Sequence, residues 1–135
     1  LEEYREFLRR YIHYCAAHPE HARIMISESV RGGERLKWMV ENFIKPGHEV
    51  YAGPNARHMK SGHLPHAWHP SLIFIITSIC QMPFVLAAEA MELYGVDMLS
   101  APAIEAHIDS VLAFLLRDPS RARTDWPALP GWLQE

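Results

Sequence analysis

The sequence predicts an all-α protein, a helical bundle of about five to seven helices. Three observations carry that prediction. Apolar residues recur at i, i+3, i+4 and i+7 in one segment after another. Proline and glycine stand between those segments, at the positions that open and close helices. No run alternates apolar and polar residues in the manner of a strand. The chain has 135 residues, of which 49% are hydrophobic and 21% charged, a balance that excludes disorder and suits one domain. Folding at this length should bury about two-thirds of the unfolded surface, enough for a core without disulfide or metal staples.

Tyr4, Phe7, Leu8, Tyr11, Ile12 and Cys15 make one face of a first amphipathic helix. His18-Pro19 should end it, because the residue before proline avoids the helical region. Pro19 suits the first turn of a second helix, which Ile24, Met25, Ile26 and Val30 carry to the breaker Arg31-Gly32-Gly33. Leu36, Met39, Val40, Phe43 and Ile44 mark a third helix. Pro46-Gly47 either ends that helix or kinks it, and Pro54 interrupts the helix-compatible stretch from Glu49 to Lys60. The reading adopted is one long bent helix capped by Gly62. His63 to His69 form a loop. Pro70 opens a fourth helix expected to run to about Gln81, with Pro83 breaking or kinking it. Phe84 to Tyr94 form a further helical segment closed by Gly95, and Pro102 opens a last helix to Arg117, ended by Asp118-Pro119. Residues 1–118 thus read as one helical domain and residues 119–135, with Pro127, Pro130 and Gly131, as a C-terminal tail.

A net charge of −3 gives no global basic field, which a stand-alone nucleic-acid binder would carry. Ten of the thirteen Lys and Arg lie between Arg5 and Lys60, interleaved with glutamates. That is a solvated face with i, i+4 pairs, not a phosphate track. From Ser61 to Ala88 there is no formally charged residue. Its apolar part, Leu72 to Ala88, is interrupted by Thr77, Ser78, Gln81 and Pro83 and falls short of the roughly 20 apolar residues of a membrane span. A helix buried both by its own chain and by a partner fits better. Cys15 and Cys80, far apart in apolar surroundings, form no disulfide framework and suggest the reducing cytoplasm. The chain runs from Leu1 straight into a helical pattern with no signal peptide, and is read as a mature fragment or a domain cut from something longer.

Histidine is abundant, with nine in the chain. His18 and His21 stand at i, i+3, and His63, His66 and His69 form H-x2-H-x2-H beside Pro65 and Pro70. Imidazoles at such spacing can bind zinc or nickel. Neither cysteine is near in sequence, no H-E-x-x-H occurs, and the nearest carboxylates, Glu49 and Glu89, are not local. The expectation is loop histidines that cap helix ends, with no metal and no cofactor. No Glu-x-x-His pair, G-x-S-x-G, P-loop or Rossmann glycine pattern is present, so no enzyme is expected. The alternative is a small helical metal-binding protein or enzyme using the His63, His66 and His69 loop. A third reading is a plain helical adaptor.

Two stretches carry a family resemblance. Phe7 to Lys45, FLRRYIHYCAAHPEHARIMISESVRGGERLKWMVENFIK, resembles the helix, "HPE", helix, "RGG", helix run of the C-terminal domain of TetR-family transcriptional regulators. Ile104 to Asp118, IEAHIDSVLAFLLRD, resembles that family's terminal dimer helix, with His107 and Asp109 where "EAHAD"-like wording is common. Between them, SGHLP before an uncharged helix is similar to the approach to the family's first dimer helix. The resemblance covers most of residues 1–118. It implies the effector-sensing and dimerisation domain of a bacterial repressor, in which a small molecule binds one helix arrangement better than another and so shifts the spacing of two DNA-binding heads. The family's helix-turn-helix has no counterpart in this sequence, so DNA would be reached only through an N-terminal domain of a longer parent.

The two uncharged helices are expected to pair across a two-fold axis as an intermolecular four-helix bundle. The residues assigned to it are Leu72, Ile75, Ile76 and Ile79, with Ile104, His107, Ile108, Val111 and Leu115. Phe74, Thr77, Ser78 and Gln81 share a different face by i, i+3, i+4, i+7. Turned inward, that face would meet Tyr11, Met25, Met39 and Phe43 and form a mostly apolar pocket with a few polar groups. No Lys or Arg sits on these faces, so the expected effector is small, uncharged or weakly charged, and largely apolar.

Overall fold

A computed structural model describes residues 1–117 and 126–133. Among the described residues the regular structure is helical throughout: α1 (Glu2–Ala17), α2 (Pro19–Arg31), α3 (Glu34–Met39), a π-helical turn (Val40–Ile44), α4 (Lys45–Lys60), α5 (His69–Val85), α6 (Ala87–Tyr94), α7 (Ala101–Leu115) and a 3-10 turn (Gly131–Leu133). Helix α1 is the central element and packs on α2, α5 and α7. Its buried row is Tyr4, Leu8, Ile12 and Cys15. Helix α5 answers with a strict i+4 row, Leu72, Ile76, Cys80 and Phe84. Helix α7 adds Ile108, Val111, Leu112 and Leu115, and Leu64 from the α4–α5 loop closes the same core. Across its rim, Glu105 on α7 takes Arg9 at 2.9 Å and His13 at 3.1 Å from α1. On α2, the buried Glu28 pairs with Arg35 through one oxygen, and its Oε2 has no hydrogen-bond partner among the described residues.

The expected boundaries at His18-Pro19 and Gly32-Gly33 coincide with the observed ones. Gly95 closes α6 in the left-handed conformation, its N–H bonded to the Met91 carbonyl. Ser100 caps α7 by accepting from Ala103 N–H, with Pro102 in the first turn. The Asp118-Pro119 stop and most of the expected tail lie outside the described residues. Trp132 does belong to them, stacked on Tyr94 at 6.3 Å between centroids.

The chain is helical without a break from Glu34 to Lys60, as expected past Pro46 and Pro54, whereas Pro83 departs from expectation. The helix passes Pro46 through a π-turn closed by Lys45 N–H on the Val40 carbonyl. One wide turn absorbs a residue that has no donor. Pro54 lies inside α4, leaving the Val50 carbonyl unbonded by the helix at an exposed position where water can supply a donor. Pro83 neither ends nor breaks α5, which runs four residues beyond the expected Gln81 to Val85. Helix α6 leaves at 67° to α5 across the break at Leu86. The reason that α5 passes Pro83 lies on α7. Pro83 has no N–H for the Ile79 carbonyl, and His107 Nε2 donates to that carbonyl at 2.8 Å. The Phe84 ring meets the same imidazole edge to face at 5.8 Å.

A second correction concerns the residues assigned to the two-fold. Leu72, Ile76, Ile108, Val111 and Leu115 are buried in the chain's own core, against Leu8 and Ile12. His107 is spent on Ile79. Apart from partly covered Ile79 and Ile104, the apolar surface these helices leave outward is Phe74 (72% exposed), Ile75 (44%) and Phe114 (77%). No single described helix is long and apolar enough to cross a membrane; α5 and α6 qualify only as a bent pair.

His107→Ala should cost about 1–3 kcal/mol in urea unfolding, because it strands a buried carbonyl. Adding Pro83→Ala should recover part of the loss, since residue 83 then supplies the N–H itself; strictly additive effects in the double-mutant cycle would contradict the linkage. Burial holds the His107 imidazole below its usual range, against the opposing pull of the Ile79 hydrogen bond. The folded protein therefore binds fewer protons than the unfolded chain, and stability should fall as pH drops below about 6.5. That acid-side slope should be shallower in His107→Gln, with His58, also lowered by burial, supplying the remainder.

Candidate functional site

Helix α1 presents Tyr4, Phe7 and Tyr11 at i, i+3, i+7 along one flank. Helix α4 faces them with Gly47, His48, Tyr51 and Asn55, and α5 completes the wall with Ile73, Ile76 and Thr77. Together they line a half-open cavity of about 200 Å³. Its walls are aromatic. Phe7 stacks on Tyr51 at 4.0 Å and lies parallel to Tyr11 at 6.0 Å. Tyr4 meets Phe7 edge to face at 5.8 Å. Phe7, Tyr11 and Tyr51 also line a separate open groove bordered by Glu2, Glu3, Glu6 and Arg10. Gly47 contributes bare backbone, and a Cβ built there would meet nothing within 4 Å.

Three polar groups are fixed in this apolar setting. Tyr4 donates to the buried Asn55 Oδ1 at 2.7 Å. Gln81 Nε2 donates to the Tyr11 hydroxyl at 2.8 Å. Thr77 Oγ1 donates to the Ile73 carbonyl at 2.9 Å, a local bond within its own helix. Burial raises both tyrosines well above the ordinary phenol range, so they stay protonated and act as hydrogen-bonding groups. The neighbouring thiols are equally quiet: burial pushes Cys15 up to about 11 and Cys80 to about 12. Each of these polar groups is paired within the chain, and the surface the cavity offers is chiefly aromatic.

Of the eight residues expected around a ligand, Tyr11 and Thr77 line this cavity. Gln81 stands behind Tyr11 and fixes its hydroxyl. Met25 and Met39 are half-buried elsewhere, and Ser78 is exposed. Phe43 is exposed and packs edge to face on Trp38 at 5.2 Å. Phe74 points away from the cavity side of α5 and is exposed. Tyr4, Phe7, Tyr51 and Asn55 were not among the expected residues. Their signal was the aromatic spacing at 4, 7 and 11, which also reads as ordinary core.

The histidine loop does not gather. His63 Nδ1 bonds the Ser61 hydroxyl at 3.0 Å, and its ring lies 5.7 Å from that of His58. His63, His66 and His69 do not bring their ring nitrogens within 4.8 Å of one another.

Tyr4→Phe should destabilise by about 1–3 kcal/mol, because the Asn55 oxygen loses its donor in a buried site. A lower urea midpoint at unchanged slope would report it; an unchanged midpoint would mean that water replaces the phenol. No family model, no curated protein and no solved structure matches the chain.

Proposed function

We propose that this chain is the effector-sensing and dimerisation region of a TetR-like bacterial transcriptional repressor, with DNA contacted only through a separate N-terminal domain. The observation that carries the reading is the position of α5. One side of it lines the aromatic cavity through Ile73 and Thr77, while Phe74 and Ile75, next in sequence, face outward as uncovered apolar surface. A ligand on one side and a second copy of the chain on the other would touch the same rigid helix. A ligand that prefers one position of α5 then shifts the geometry of the dimer, which is all that effector-controlled repression requires.

The cavity also bounds the effector. A cavity of about 150 Å³ holds one benzene ring, so about 200 Å³ suits a single substituted ring. The aromatic walls favour an uncharged, largely apolar molecule.

Sedimentation at micromolar concentration should give a dimer, and Phe74→Glu with Phe114→Glu should give a folded monomer, since a buried unpaired carboxylate at an interface is costly. A wild-type monomer would sink the dimer. Thermal-shift screening with monocyclic aromatic compounds should find stabilising ligands whose effect is lost in Tyr51→Ala, which removes the ring stacked on Phe7 in the cavity wall. Stabilisation that survives Tyr51→Ala would place the ligand elsewhere.

A further inference from the structure

We propose that His18, Glu20 and His21, at the corner between α1 and α2, form a surface site for a divalent transition-metal ion of the zinc type. One ligand atom from each lies within 4.8 Å of the other two. Pro19 creates the arrangement. It ends α1 at Ala17, leaves His18 as the residue flanking α2, and places Glu20 and His21 in the first turn. His21 N–H closes that turn on the His18 carbonyl at 3.0 Å. The two imidazoles are thereby stacked in parallel, 4.7 Å apart with 5° between their planes.

One carboxylate oxygen lies within ion-pair reach of both imidazoles. Glu20 Oε1 lies 3.4 Å from His18 Nδ1 and 3.8 Å from His21 Nε2. The second is too long for a hydrogen bond and the first is at its limit. Two ligands at about 2.1 Å from a tetrahedral zinc ion stand about 3.4 Å apart. Glu20 Oε1 thus stands near ligand–ligand spacing from each nitrogen, and the two parallel rings would tilt towards a bound ion to bring their in-plane lone pairs onto it, with further positions left to water.

The second ring nitrogen of His21 supplies an independent observation. Its Nδ1 is hydrogen-bonded to the Tyr14 hydroxyl, one turn back on α1. With Nε2 on the metal, Nδ1 carries the proton and donates to the phenol oxygen. That is how an outer partner fixes the tautomer and orientation of a ligating histidine. The Tyr14 ring also lies 5.2 Å from His18 and 5.6 Å from His21, holding both imidazoles on one side. The electrostatics do not oppose a cation. The positive end of α2 is offset by the negative end of α1 at the same corner. Two imidazoles and one carboxylate suit zinc, cobalt or nickel better than calcium or magnesium.

Zinc titration of the full chain by calorimetry, with cobalt absorption as a second readout, tests the site. One equivalent should bind, at least tenfold more weakly in His21→Ala and in Glu20→Gln, and unchanged in His66→Ala. Tyr14→Phe should weaken binding by about tenfold while leaving all three ligands in place. The three ligands are exposed, so circular dichroism should show the variants folded as wild type. Absence of binding at 100-fold excess zinc over protein, or binding indifferent to His21→Ala, overturns the proposal. Binding abolished by His66→Ala would move the metal to the loop histidines and overturn it equally.

Discussion

A single hydrogen bond from α7 to α5 resolves the main conflict in this chain. Helix α5 belongs to the uncharged stretch and is buried along one whole row, yet it contains Pro83. Proline inside a helix leaves the carbonyl four residues earlier without a donor, at a cost of about 3 kcal/mol or more when nothing replaces it. His107 supplies the donor to the Ile79 carbonyl from a different helix. The replacement keeps α5 helical to Val85, so that Phe84 can complete the core row. It also fixes where α7 lies along α5. Because a carbonyl only accepts, Nε2 carries the proton, and burial keeps the ring neutral. Protonation would add a charge in the one place where the chain has excluded charge for 28 residues, Ser61 to Ala88.

From that constraint follows the division of the molecule into two flanks. On one, α5 and α7 close over α1; Glu105 ties α7 to Arg9 and His13 at the rim of that core, and His107 ties α7 to α5. On the other, α4 lies over α1 with less apolar material. It carries Gly47, Pro54 and the buried Asn55, and its contact with α1 is made by rings and by the Tyr4–Asn55 hydrogen bond. Rings meeting at 4–6 Å leave gaps that aliphatic side chains would fill. The cavity therefore lies between α1, α4 and α5, away from the well-filled contact with α7.

Much of this was legible in the sequence. The spacing of Tyr4, Leu8, Ile12 and Cys15 has a polar opposite face, so its phase is unambiguous, and every residue of that row is buried. The breakers at Pro19 and Gly32-Gly33 act locally and fall where expected. Helix α5 was not legible in the same way. Leu72 to Ile76 is apolar at every position, so periodicity gives no phase, and Leu72 and Ile76 could be assigned to a partner as readily as to the core. Phe74 and Leu72 differ in nothing that a sequence pattern records. The rescue of Pro83 was invisible for another reason: its donor is 24 residues further along the chain. The cavity residues were missed because Tyr4 and Phe7 serve the core and the cavity at once, and Asn55 carries no apolar period.

The π-turn at Val40–Ile44 has a similar logic on the other flank. It lets the helix absorb Pro46 without ending, so α4 continues from α3 as a bent rod. Had Pro46 ended the helix, Gly47, His48 and Tyr51 would belong to a loop, and the wall opposite Phe7 would not be set by a rigid element. The two prolines therefore have opposite solutions with a common result. At Pro46 the backbone changes its own hydrogen-bond register, at an exposed position where that is tolerated. At Pro83 the register is kept and a side chain supplies the missing donor, because a buried carbonyl cannot turn to water. Both leave a continuous helix bordering the same cavity, so the cavity is framed by helices and not by loops. A ligand filling it would press on whole helices and not on a yielding loop, which is the condition for its presence to be felt on the far side of α5.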